Sequence, residues 1–158
     1  MKELVIYPDD DLRKVSEPVT EFGGVLAPWI DDMIWVMRSL CGNALGISGI
    51  QCRIPYRIAL LEMKGFKFPP VICNPEVISE RGLQRDPEGC LSFPGKFSKI
   101  ERAMVIQVRY KNQHGNACLS NFRGIMARCV LHEIDHMDGK LFIDRVDDEE
   151  RKRITGER

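Results

Sequence analysis

His132-Glu133-Ile134-Asp135-His136 uses two of the three histidines in the chain. On a helix, His132 and His136 stand one turn apart on one face, where two imidazoles can bind a single metal ion and Glu133 can move protons beside it. Two imidazoles leave a metal short of ligands, so the chain must supply a third. His114 lies in Asn112-Gln113-His114-Gly115-Asn116, which reads as a surface hairpin turn. Cysteine is the better source. The six cysteines, at positions 41, 52, 73, 90, 118 and 129, contain no CxxC pair, which argues against a zinc ribbon and for free thiols, most of them buried as small apolar residues. Cys90 differs in its setting, Pro87-Glu88-Gly89-Cys90-Leu91-Ser92-Phe93-Pro94, where Gly89 lets the backbone approach another group and a proline restricts each end. A Cys90 thiolate with His132 and His136 would leave one coordination position for water, the pattern of a catalytic site, since structural sites are closed by four protein ligands.

These groups need elements to position them. Phe122, Ile125, Met126, Cys129, Val130 and Met137 recur at three-and-four spacing, Gly139 offers a left-handed C-cap and Lys140 suits the negative end of the dipole. The motif is therefore placed on a helix of about four turns. Extending the His132–His136 stripe toward the N-terminus puts Ile125 and Cys129 on the same face, so whatever binds at the metal should touch them, although core packing should take most of their surface. Arg128 and Asp135 are expected to point into solvent, with Asp135 a candidate acceptor for an imidazole. Leu26, Trp29, Ile30, Met33, Val36, Met37 and Leu40 mark an earlier core helix with Pro28 in its first turn. Residues 57–63, 70–79 and 103–110 read as strands, and a further strand follows the His114 turn. Gln51, on its residues alone, reads as a polar residue ending a short strand. The pattern predicts an α+β fold, with antiparallel sheets packed around a C-terminal HExxH helix and one N-terminal helix.

Glu88-Gly89-Cys90-Leu91-Ser92 together with His132-Glu133-Ile134-Asp135-His136 resembles the second and third signature motifs of peptide deformylase. The first family motif, GxGxAAxQ, is matched in part by Ala44-Leu45-Gly46-Ile47-Ser48-Gly49-Ile50-Gln51. Its second glycine and its glutamine are kept, Ala44 replaces its first glycine, and Ser48 and Gly49 replace its two alanines. The order and separation of the three blocks also fit, and the similarity runs from about residue 3 to about residue 146. The resemblance implies a hydrolase that removes the formyl group from the N-terminal formylmethionine of newly made polypeptides, releasing formate. It implies that Cys90, His132 and His136 bind the metal, that Glu133 is general acid and base, and that Gln51 and the Leu91 backbone amide steady the oxyanion. Leu45, Gly89, Ile125, Arg128 and Cys129 would line a methionine pocket, with Gly46 where the substrate backbone approaches. A buried Ser48 hydroxyl would need a partner, and Gly49 adds backbone freedom, so modest effects on pocket rigidity or substrate preference are expected.

Bulk properties fit one catalytic domain over residues 1–158, with a short charged tail from about 147. The chain is 44% apolar and 29% charged, ordinary for a soluble globule. Formal net charge is zero, which removes the electrostatic case for nucleic-acid binding. No apolar run approaches membrane-spanning length and no leader is evident, so a cytoplasmic location is expected, or an organelle if a leader was trimmed. Asp147 to Arg153 reads as a solvated helix or a frayed end. Some members of the resembled family dock on the ribosome through a longer C-terminal helix, and the short tail weakens that expectation here. One divalent ion is expected, Fe2+ in the cell by resemblance, although a thiolate with two imidazoles also suits Zn2+, Ni2+ or Co2+. Two other functions compete: a different HExxH metallohydrolase such as a peptidase, and an inactive metal-bound interaction protein.

Overall fold

In a computed structural model, the described residues are 2–40 and 42–158; the expectation of a free thiol at Cys41 lies outside them. The fold is α+β. The early apolar stripe forms α1, Ala27–Trp35, with Pro28 in its first turn, and continues as a π-turn over Val36–Leu40. Met33, Val36 and Met37 are buried by this stripe, whereas its last member, Leu40, is 53% exposed. The strands are β1 (Gly46–Ser48), β2 (Ile58–Leu61), β3 (Val71–Cys90), β4 (Phe93–Lys111) and β5 (Ala117–Arg123). They join in one antiparallel sheet in sequence order, where more than one sheet was expected.

The sequence-predicted strands at 70–79 and 103–110 are fragments of two much longer ones, 20 and 19 residues. Glycines, prolines and charges conceal their extent, because most of the added length is exposed on both faces and shows no alternation. β3 and β4 form a hairpin whose register shifts at Cys73/Glu76, Val77/Ser79 and Gly89/Cys90, irregularities that bend and twist a ladder. The last shift moves pairing from Gly89–Phe97 to Cys90–Phe93 and loops out Pro94-Gly95-Lys96. Cys90 thus sits at the closed end of the hairpin, delivered to the site by a long arm.

Helix α2, Gly124–Met137, carries the HExxH residues; Phe122, counted in its stripe from sequence, belongs to β5. Ala127 and Val130 pack with Ile106, Val108 and Leu61. The helix ends as its glycine predicts: Gly139 has φ +71°, its N–H donates to His136 O, and the Lys140 N–H donates to Asp135 O. Of the two readings of the tail, the solvated helix holds and the frayed end does not: none of residues 147–153 is buried. The tail forms α3, Asp148–Thr155, capped by the Asp147 carboxylate and anchored by Ile154, which is buried with Val5, Leu12, Phe93 and Phe142. No helix among the described residues is long and apolar enough to cross a membrane.

Candidate metal centre and substrate cavity

α2 presents His132 and His136 one turn apart, and the hairpin end brings Cys90 against them. The His132 and His136 Nε2 atoms are 3.1 Å apart and Cys90 Sγ is 3.4 Å from His136 Nε2. All three ligand atoms lie within 4.8 Å of one another. An ion bound tetrahedrally at about 2.0 Å from nitrogen and about 2.3 Å from sulfur separates its ligand atoms by roughly 3.3–3.6 Å, so the donor set fits a transition-metal ion. Orientation fits as well: His132 Nδ1 is occupied 2.6 Å from Glu88 Oε1, which leaves Nε2 to face the site. Glu133, next to His132 in the chain, is 4% exposed, and its Oε2 is buried with no hydrogen-bond partner. Burial pushes its carboxyl up to about 7, against the pull of His132.

Behind His132 is a cluster of buried charges, two of which were expected in solvent, although the resemblance had also put Arg128 in the pocket wall, where it lies. Arg128 and Asp135, expected in solvent, are 5% and 6% exposed. Arg128 donates to Glu88 Oε2 at 2.8 Å, so it turns inward to a carboxylate. Asp135 serves no imidazole; it accepts from Arg102 at 2.7 Å and from Arg145 at 2.6 and 2.8 Å. The imidazole acceptor is Glu88. Arg102 holds both Glu88 oxygens, at 3.0 and 2.5 Å. Burial pushes Glu88 upward, but the hydrogen bonds from His132 and Arg102 outweigh it and keep the carboxylate well below its usual range. Glu88 was visible in the motif without this role. Arg102 and Arg145 gave no signal, since neither periodicity nor spacing separates a buried strand arginine from an exposed one.

A cavity of about 550 Å³ opens on this centre. It is lined by Leu45, Gly46, Gln51, Gly89, Cys90, Leu91, Ile125, Arg128, Cys129, His132 and Glu133, while His136 is buried and not part of the lining. Ile125 was expected mainly in the core and is instead 61% exposed, whereas Cys129 is 8% exposed. Phe97 also lines the cavity and was not foreseen; its ring covers Gly89, where an added Cβ would meet it at 2.5 Å. Gln51 lies on a 3-10 turn, Gly49–Cys52, and does not end a strand. Its Oε1 accepts the Ser48 N–H at 3.0 Å, which aims Nε2 at Ser92 Oγ, 3.1 Å away, and toward Cys90 Sγ, 3.6 Å away. A carboxamide fixed in this way presents donors beside Cys90.

The substituted first motif has a local cause at one position and a cost at the other. An added Cβ at Gly49 would meet Ile54 O at 2.8 Å and Ile58 Cγ2 at 2.9 Å, so alanine has no room there. Ser48 is fully buried and its Oγ has no hydrogen-bond partner. Ser48→Ala is therefore expected to raise stability by about 1 kcal/mol, by removing an unsatisfied hydroxyl. Urea denaturation reads this directly, and a midpoint equal to or below that of the wild type would contradict it.

The family model described as polypeptide deformylase matches residues 1–152. A peptide deformylase of Alkalilimnicola ehrlichii is 36% identical over 154 residues, spanning 96% of this chain and 85% of that one. One from Bartonella tribocorum is 39% identical over 154 residues, spanning 92% and 84%. Among solved structures, a peptide deformylase from Legionella pneumophila superposes with a TM-score of 0.92 at 32% identity, covering 99% of this chain and 92% of that one. A Plasmodium falciparum peptide deformylase in complex with an inhibitor gives 0.86 at 32% identity, covering 98% and 95%.

Proposed function

The chain belongs to the peptide deformylase family, and on that premise we propose how its own residues divide the work of removing the N-terminal formyl group from nascent polypeptides. The enzyme is a peptide deformylase; the family assignment favours neither an HExxH peptidase nor an inactive interaction protein. The family is a metalloenzyme family, and Cys90, His132 and His136 would hold the ion. The observation that carries this reading is the convergence of those three donors in a cavity wall beside the unpartnered Glu133 carboxylate oxygen. We assign Fe2+ to the site because the soft thiolate and two imidazoles suit it and the family resemblance favours it over zinc, nickel and cobalt.

A formamide is a weak electrophile. A divalent ion held by Cys90, His132 and His136 would supply Lewis acidity toward the formyl carbonyl and would lower the pKa of water to about 7. The protein groups do the rest. Gln51 Nε2 and the Leu91 amide donate to the oxygen on which negative charge develops, each worth about 3 kcal/mol in such sites. Glu133 takes a proton from the attacking water and delivers it to the departing amine, which otherwise leaves poorly. Leu45, Gly46, Gly89, Ile125, Arg128 and Cys129 receive the methionine side chain and adjoining backbone. The proposed place of action is where formylated nascent chains are made, the cytoplasm or such an organelle.

The test is formate release from formyl-Met-Ala-Ser by anaerobically purified protein of known metal content, because a thiolate next to ferrous iron is open to oxidation. No formate from fully metallated protein, or cleavage of unformylated peptide instead, would overturn the assignment. Gly46 gives a sharper check on the cavity. A Cβ there would meet Cys129 Sγ at 2.7 Å, Leu60 O at 3.0 Å and Glu133 Oε1 at 3.1 Å. Gly46→Ala is expected to lower kcat/KM about 10²-fold by displacing the catalytic carboxylate, with partial recovery in Gly46→Ala/Cys129→Ala. Wild-type kinetics in the single variant would show that the wall yields without cost.

A further inference from the structure

The mechanism leaves the ion pairs that join Glu88, Arg102, Asp135 and Arg145 unused, and of these residues Arg145 reaches the surface. Arg145 closes the 3-10 turn Phe142–Arg145, a segment fixed by the buried Phe142 and Ile143. Its guanidinium reaches α2 and holds both oxygens of Asp135, Nε to Oδ2 at 2.6 Å and NH2 to Oδ1 at 2.8 Å. The Arg145 side chain is 40% exposed and borders a second, polar cleft, while Asp135 is buried. Arg102 stands between two carboxylates. It gives Nε and NH2 to Glu88 and NH1 to Asp135. Glu88 also accepts from Arg128, and on its far side it meets His132 Nδ1. Arg128 and Arg145 therefore each attend one of the two carboxylates that Arg102 bridges.

We propose that Arg145 is a positioning residue for His132: by attending Asp135 from the solvent side, it leaves Arg102 oriented to hold Glu88, and through Glu88 the imidazole that faces the metal. Without Arg145, Oδ1 of Asp135 loses its hydrogen bond and the buried carboxylate must draw more heavily on Arg102. That pull acts against the paired contact with Glu88. The consequence falls on the ring orientation of His132, since a group behind a metal-bound histidine sets its tautomer and aim. This rests on the assignment of Cys90, His132 and His136 as ligands.

The test compares wild type, Arg145→Ala, Arg145→Lys, Asp135→Asn and Arg145→Ala/Asp135→Asn, each loaded with Co2+. Two quantities are read well below the melting temperature of every variant: the rate of Co2+ removal by excess chelator, and the thiolate-to-cobalt absorption band. Arg145→Ala is expected to release metal about tenfold faster, the low end for groups behind a ligand, with a shifted band. Arg145→Lys, which keeps the charge but not the paired contact, should fall between and carries the test if the alanine variant does not fold. In the Asp135→Asn background, removing Arg145 should add nothing. A lowered melting temperature with unchanged release and spectrum in Arg145→Ala would overturn the proposal, as would equal acceleration in both backgrounds. Absence of the thiolate band in wild type would overturn the ligand assignment itself, and this inference with it.

Discussion

Glu133→Gln is expected to lower kcat by about 10²–10⁴, the range for a lost general acid–base, while metal content stays at the wild-type level. Glu133 is not among the three converging donors, and its Oε2 has no partner in the protein. Its removal therefore takes away a proton carrier without opening the ligand set. Formate release and metal stoichiometry measured on the same sample separate the two effects, and loss of metal in step with activity would refute the role. The same variant should change the stability of metal-free protein in a pH-dependent way. Burial raises Glu133 from the 4.5 of a free carboxyl to about 7. For a raised acid, the contribution to stability is complete below the unfolded pKa and is lost as pH rises through the folded one. Ionised Glu133 thus costs the metal-free wild type up to about 3 kcal/mol at pH 8, at about 1.4 kcal/mol per pKa unit. Metal-free Glu133→Gln should be more stable than metal-free wild type at pH 8 and nearly equal to it at pH 4. Urea curves at both pH values decide this, and a pH-independent difference would show that the carboxyl is not held near neutrality.

The second large effect is expected from Glu88→Ala. Glu88 accepts from Arg102, Arg128 and His132 in a pocket where the side chains of Arg102 and Arg128 are only 2% and 7% exposed. Removing the carboxylate leaves two guanidinium groups without their shared counter-charge, a loss of about 3–5 kcal/mol for a broken buried pair. It also frees His132 Nδ1, for which a fall in metal affinity of about 10–100-fold is expected. Glu88→Gln should lie between, because it keeps one acceptor but turns an amide donor toward an arginine. Chelator competition and denaturation of the metal-free form read the two losses independently. Destabilisation of Glu88→Ala below about 1 kcal/mol would mean that water reaches the cluster and compensates it.

The helical periodicity around His132 and the glycine after it specified α2 and its end. These are local signals, set by three-and-four spacing and by the φ that glycine permits, and they survive without knowledge of the rest of the chain. The long hairpin was legible only at its buried root. Beyond Val77, β3 is largely exposed and broken by Gly82 and Pro87, so neither alternation nor composition marks it as strand. Ladder hydrogen bonds with β4, made by distant residues, hold it extended. The charges of the tail did mark its solvated helix, but not its docking: one residue, Ile154, seats it in a core drawn from both ends of the chain.

By itself, the sequence singled out the side chains that converge and fixed the spacing of two of them, His132 and His136, because one helical turn sets their geometry locally. It also singled out Cys90 by its setting, and Gln51 and Leu91 by resemblance. Only the tertiary structure decided that the hairpin end reaches α2, that Arg128 and Asp135 turn inward, and that Glu88 aims His132 while Arg102 joins it to Asp135. Charged side chains carry no sequence mark of burial. Whether such a group is solvated or locked in a network depends on which partners the fold brings within hydrogen-bond reach, and those partners come from β3, β4, α2 and the turn ending at Arg145.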